Sequence, residues 1–210
     1  MDMIDIFIFL AESILLGLMV LMAVCRVKQV TFDWKSDWKN KRFVAVSVIL
    51  FGIHCLLYFL LGTDTVVFQF LTLIAAYLLF SIVDFKTKNV PNEMLLCMGA
   101  EQLLYVFRNS DLQQFLWSLA AGAVIYIVCM LLTVISREGF GLGDAKLLGM
   151  TAVFTGGAYV LQIAFWGLID AFICSIFILA YHKGNRKTEL PFVPFLTLGI
   201  FLHIVVWRLL

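Results

Sequence analysis

Residues 147–181 read LLGMTAVFTGGAYVLQIAFWGLIDAFICSIFILAY, a run of 35 residues whose one charge is Asp170. A helix needs about 20 mostly apolar residues to cross a bilayer. The run is therefore too long for one crossing and long enough for two short ones, with the turn at Gly156-Gly157 or near Gln162. Further apolar runs lie at about 6–25, 43–61, 66–83, 115–135 and 191–210, and a shorter one at 94–107 carries Glu101 and Gln102. The pattern predicts an all-α, polytopic integral membrane bundle of about eight transmembrane segments.

Composition agrees. The 210 residues are 63% hydrophobic and 14% charged, with 20 Phe and a mean hydropathy of +1.02. A soluble domain averages about 45–50% apolar and about 25% charged residues, so this chain lacks the polar surface to coat a water-soluble globule. The same arithmetic excludes a disordered chain, a disulfide-stapled secreted domain, a collagen-like fibre and a nucleic-acid binder. The five cysteines (Cys25, Cys55, Cys97, Cys129, Cys174) form no C-x-x-C pair, so neither a zinc ribbon nor a disulfide framework is expected. No metal or other cofactor is implied. The start, MDMID, lacks the basic n-region of a cleavable signal peptide.

The net charge of +1 conceals where the positive charges lie. Loops 26–42, 84–92, 136–146 and 182–190 hold 13 of the 15 Lys and Arg. Short basic loops mark the cytoplasmic side. An eight-pass topology with both termini outside puts all four there, whereas a single crossing by 147–181 would expel Lys183, Arg186 and Lys187. The 17-residue loop 26–42, with Phe32, Trp34 and Trp38 among its lysines, is expected to lie against anionic headgroups.

Two acids fall at the cytoplasmic ends of segments. Asp84 closes the third apolar run, and Asp144 lies in REGFGLGDAKLLGM, where a glycine-rich stretch becomes the next run. They are 60 residues apart, so only the fold can bring them together. Two carboxyls in contact share one proton and titrate as a unit. One can then act as base on a water while the other polarises a carbonyl, which is aspartic protease chemistry. Gly139, Gly141 and Gly143 remove side chains beside Asp144, leaving room for an extended substrate backbone. The same two positions also suit a solvated helix-end acid and an Asp N-cap.

The residues around them narrow the choice. Asp84-Phe-Lys-Thr-Lys-Asn-Val90-Pro91-Asn92 resembles the D-x(5)-[IV]-P-[ND] signature of the type IV prepilin peptidases. Gly141-Leu142-Gly143-Asp144-Ala145-Lys146-Leu147-Leu148 resembles their G-x-G-D-x-K-L-L block, and residues 190–199, LPFVPFLTLG, resemble their C-terminal [IL]-P-F-x-P-F-L-x-L-G block. The resemblance implies a membrane aspartic endopeptidase that removes short basic leaders from prepilins and pilin-like (pseudopilin) precursors. It implies Asp84 and Asp144 as the catalytic pair, with Gly141, Gly143, Lys146, Pro91 and Pro194 in supporting positions. It places residues 66–210 in the catalytic membrane domain and leaves 1–65 as N-terminal segments around the basic loop. The bacterial inner or plasma membrane, with the site facing the cytoplasm, is the implied location. Many relatives carry paired C-x-x-C motifs after the first helix and also N-methylate the new pilin terminus. Loop 26–42 has no cysteine, so the chain resembles the shorter, peptidase-only branch.

Other polar residues fall inside spans. Asp170 is costly there and marks either a functional group or a helix-to-helix hydrogen bond; Glu12 and His54 pose the same choice. Lys146 suits either a partner of the ionised pair or an anchor for its loop, and Pro191 and Pro194 are expected to break the backbone before the last span. Two alternatives fit less of the pattern. A presenilin or signal-peptide-peptidase type protease shares G-x-G-D but pairs it with Tyr-Asp and Pro-Ala-Leu, where this chain has Val83-Asp84 and Pro-Phe-Val-Pro. A transporter or scaffold with an acidic relay would carry inverted repeats, and none is visible.

Overall fold

The apolar runs fold into eight helices in a computed structural model that describes residues 3–28, 41–61, 65–109, 112–136, 140–181 and 190–209. They are α1 (Met3–Val27), α2 (Lys41–Leu61), α3 (Thr65–Thr87), α4 (Asn92–Asn109), α5 (Leu112–Ile135), α6 (Leu142–Thr155), α7 (Gly157–Tyr181) and α8 (Val193–Leu209). No strand occurs among the described residues. Most of loop 26–42, the side chain of His54 and the Lys183–Arg186–Lys187 cluster lie outside them. The molecule is an all-helical membrane bundle.

Among the described residues, α1, α3, α5 and α7 contain stretches long and apolar enough to cross a bilayer, and shorter apolar stretches occupy Val44–Ile53 in α2 and Val193–His203 in α8. Side chains such as Phe7, Val48, Trp117, Val134, Phe172 and Phe177 point outward from these helices, apolar surface that lipid covers. Inside, Leu73, Tyr77, Phe80, Met94, Met98, Leu147, Ile163 and Leu196 are fully buried. The helix α1 packs on α2, α3 and α4; α6 lies against α4, α5 and α7; α8 lies against α3 and α7.

The long run does break at Gly156, but not into equal halves. Gly156 has φ 85° and ψ 159°, a conformation essentially restricted to glycine. The helix before it, α6, begins at Leu142 and has 14 residues. At 1.5 Å per residue it reaches about 21 Å, short of the ~30 Å hydrocarbon core, whereas α7 has 25 residues. A helix ending inside an apolar bundle leaves its last carbonyls without water. Here two glutamines meet them: Gln102 of α4 donates to the Val153 carbonyl at 2.9 Å, and Gln69 of α3 donates to the Phe154 carbonyl. A third bond, from Gln69 to the Gln102 side-chain oxygen at 2.9 Å, joins the two.

Helix α8 approaches α7 without side chains between them. A Cβ on Gly199 would lie 2.5 Å from the Ile163 carbonyl oxygen and 2.9 Å from the Gly167 nitrogen, both backbone atoms that cannot yield cheaply. Overpacking of this kind costs about 1–3 kcal/mol. Gly199→Leu is therefore expected to lower the thermal midpoint of the detergent-solubilised protein. Gly52→Ala, where nothing lies within 4 Å of the added Cβ, leaves it unchanged or higher.

Candidate active site

The helix α3 continues past its apolar run to Thr87, which puts Asp84 within its last helical turn rather than beyond it. An acid at a helix C-terminus opposes the helix dipole. Its compensation comes from another helix. Asp84 is 5% exposed, and its Oδ2 accepts a hydrogen bond from the Val193 backbone N–H at 3.1 Å, at the start of α8. The Phe192 carbonyl opens α8 by accepting from Phe195 at 3.0 Å and Leu196 at 3.2 Å. Pro194, which lacks an N–H, sits in the first turn, where that loss is harmless. The first donor of α8 is thereby turned onto Asp84.

Asp144 is built differently. The N-cap of α6 is Gly141, extended at φ −71° and ψ 135°, with no side-chain capping bond. Asp144 is thus the third residue of the helix rather than its N-cap, an acid at the end of a dipole that favours it. Gly141 and Gly143 let this turn close up. A Cβ on Gly141 would lie 2.9 Å from the Asp144 Oδ2, and one on Gly143 would lie 3.3 Å from the Val90 Cβ, in the segment after α3. That segment leaves α3 through Lys88, whose φ of 51° is left-handed and whose N–H donates to the Asp84 carbonyl at 2.8 Å.

The two acids line one cavity of about 750 Å³. Its walls come from Lys88, Asn89 and Val90 after α3, from 140–144 at the start of α6, from Leu168, Ala171 and Ser175 on α7, and from Leu190, Pro191 and Phe192 before α8. The rings of Phe140 and Phe192 meet edge to face at 5.9 Å. The Asp144 carboxyl is pushed up to about 7, first by burial and then by the charge of Asp84. Among the described residues no hydrogen bond is donated to it. One acid therefore has a backbone donor and the other has none, which separates their protonation.

The sequence-derived residues divide. Gly141 and Gly143 line the cavity with the two acids. Lys146 does not: its Nζ donates to the Asn92 Oδ1 at 3.1 Å, at the end of a separate groove, so it ties α6 to the start of α4. Pro91 is buried outside the cavity and starts α4 by accepting from the Leu95 N–H at 3.3 Å. Pro191 lines the cavity where Pro194 does not. Asp170, next to Ala171, is half-buried with its Oδ2 unpartnered, and Glu12 is buried on α1. Neither the Val193 N–H, a backbone group, nor the α7 wall, which reads as ordinary span, carries a signature in the residues. Among the described residues no group of three His, Cys, Asp or Glu is placed to hold a metal ion.

The model of the type IV leader peptidase family matches residues 70–181, more than half of the chain. The chain belongs to that family. It is therefore a protease of the leader peptidase type, and its apolar helices make it a membrane protein. The matched region of this leader peptidase holds both Asp84 and Asp144; the α8 entrance that bonds Asp84 lies beyond it. Neither a curated protein nor a solved structure gives a significant match.

The raised carboxyl fixes the direction of a pH effect. The folded chain keeps a proton on Asp144 up to about pH 7, while an unfolded Asp releases it near pH 4. The folded state then binds more protons between these values, and stability contributed by this group falls as pH rises through that window. Asp144→Asn removes the effect. Its thermal midpoint is expected to gain on the wild type between about pH 4 and 7 and to hold a constant advantage above that, as read by unfolding in detergent across pH.

Proposed function

We propose that the chain is an aspartic endopeptidase that removes the short basic leader from prepilins or pilin-like precursors at the cytoplasmic face of a bacterial plasma membrane. The observation that carries this reading is the sharing of one cavity by Asp84 and Asp144 in opposed surroundings. Asp84, held by the Val193 N–H, is the carboxylate that takes a proton from water. Asp144, with its pKa near 7, keeps its proton and gives it to the scissile carbonyl oxygen. The water oxygen bonds to the carbonyl carbon, forming a tetrahedral diol. Return of the proton from Asp84 to the leaving nitrogen then breaks the C–N bond, and one diol proton returns to Asp144. Water is the sole co-reactant.

The cytoplasmic orientation is supported by the Lys and Arg distribution, since both acids sit beside loops of the basic set. The Arg26–Glu93 ion pair, at 3.1 Å, ties the end of α1, where loop 26–42 begins, to the start of α4, where loop 84–92 ends. A basic leader is attracted to anionic lipid on that side. Residues 66–210 form the catalytic unit in this reading, with α1 packed behind α3 and α4.

The test is co-expression with a pilin-like precursor from the same genome, read by mobility shift and by mass spectrometry of the new N-terminus. Asp84→Asn and Asp144→Asn are each expected to reduce cleavage by at least about 100-fold while still inserting in the membrane. Wild-type activity is expected to fall as pH rises past about 7, where Asp144 loses its proton. Processing that survives either substitution sinks the assignment.

A further inference from the structure

Lys146 stands in the motif beside Asp144, yet it faces away from the cavity that holds the acids. It faces the end of a second depression, about 420 Å³, between α4, α5 and α6. Apart from that end the depression is almost wholly apolar, walled by Leu95 and Leu96, Leu119 and Ala123, and Met150 and Val153. Gly122 and Gly149 also line it, where α5 and α6 touch closely. A Cβ on Gly122 would lie 2.8 Å from the Gly149 carbonyl oxygen. Leu96 is 72% exposed, and α5 is a candidate span with most of its surface outward, which opens the groove to the bilayer.

The polar end is as specific as the apolar walls. Lys146 is exposed and has no acidic partner among the described residues; its one hydrogen bond goes to the side-chain oxygen of Asn92. It lies two residues from Asp144, at the start of α6 and at the end of a basic stretch of the sequence, 136–146. A cation there, continuous with an apolar trough open to lipid, complements a molecule with an anionic head and a hydrocarbon tail. We propose that this groove binds one anionic phospholipid, with an acyl chain between α4, α5 and α6 and its phosphate on Lys146. A neutral lipid leaves the lysine unused, and free phosphate leaves the groove unused. Such a lipid packs against Met150 and Val153 of the short helix that carries Asp144, so occupancy braces that helix. The site is independent of which bond the protein cuts.

The test is native mass spectrometry of the full chain released from nanodiscs containing phosphatidylglycerol and phosphatidylcholine in equal amounts. One phosphatidylglycerol is expected to stay bound in preference to phosphatidylcholine. Lys146→Gln is expected to weaken its retention about fivefold, the contribution of one basic residue to an anionic surface. Ala123→Trp and Leu96→Trp, which fill the groove from two different helices, are each expected to abolish it, with folding checked by the thermal midpoint. Equal retention of the two lipids, or unchanged retention in Lys146→Gln, overturns the proposal. Unchanged lipid retention in both tryptophan variants, together with loss of precursor cleavage, assigns the groove to a substrate helix and also overturns it. Because retention is read without cleavage, failure here and failure of the peptidase reading are distinguishable.

Discussion

A helix too short to cross the bilayer has to end somewhere among apolar side chains, and its last carbonyls must find donors there. That constraint on α6 organises the bundle. The carbonyls of Val153 and Phe154 are met by Gln102 of α4 and Gln69 of α3, and the two glutamines bond to each other. An unmet polar group in hydrocarbon costs several kcal/mol, so α3, α4 and α6 are fixed in mutual height as well as in contact. Tyr77, about two turns further along α3 toward the site, bonds Thr151, which holds the same register. With the far end of α6 set this way, its first turn arrives beside the end of α3, and Asp144 arrives with it.

The end of α3 is held from the opposite side by α8. Ser81 bonds Thr197 at 2.7 Å, and one turn further on Asp84 takes the Val193 N–H. Residues 77, 81 and 84 thus form a single polar edge of α3, reaching α6 at one end and α8 at the other. The asymmetry of the two acids follows from it. Asp84 lies where a neighbouring helix offers its positive end, while Asp144 is partly buried, has no donor among the described residues and is close enough to feel its partner's charge. Unequal surroundings are what allow two adjacent carboxyls to hold one proton between them.

Much of this was legible in the sequence, and the remainder was hidden for physical reasons. Apolar run lengths predicted the helices, and the break in the longest run was readable because a backbone such as that of Gly156 admits little but glycine. The start of α6 was not readable from hydropathy, since Leu142–Lys146 mixes glycine with charge and still forms a helical turn. Gln102 looked like a flaw in the fourth segment because its purpose, the carbonyl of Val153, lies 51 residues away. Lys146 sits beside Asp144 in the chain, but the two point to different sides of α6. The donor to Asp84 is a backbone amide and carries no residue signature, although Pro194 next to it marks the helix start that aims it.

The bond between Asp84 and Val193 joins residues 109 positions apart. During synthesis, α3 and α6 both leave the ribosome well before α8 does. Until the last helix packs, the Asp84 carboxyl lacks its donor, and the wall formed by Leu190, Pro191 and Phe192 is missing from the cavity. In the proposed reading, catalytic competence is therefore a late event in the maturation of the chain. A nascent chain stalled before that helix holds both acids without the backbone donor that distinguishes them, and such a half-made protein would be inert.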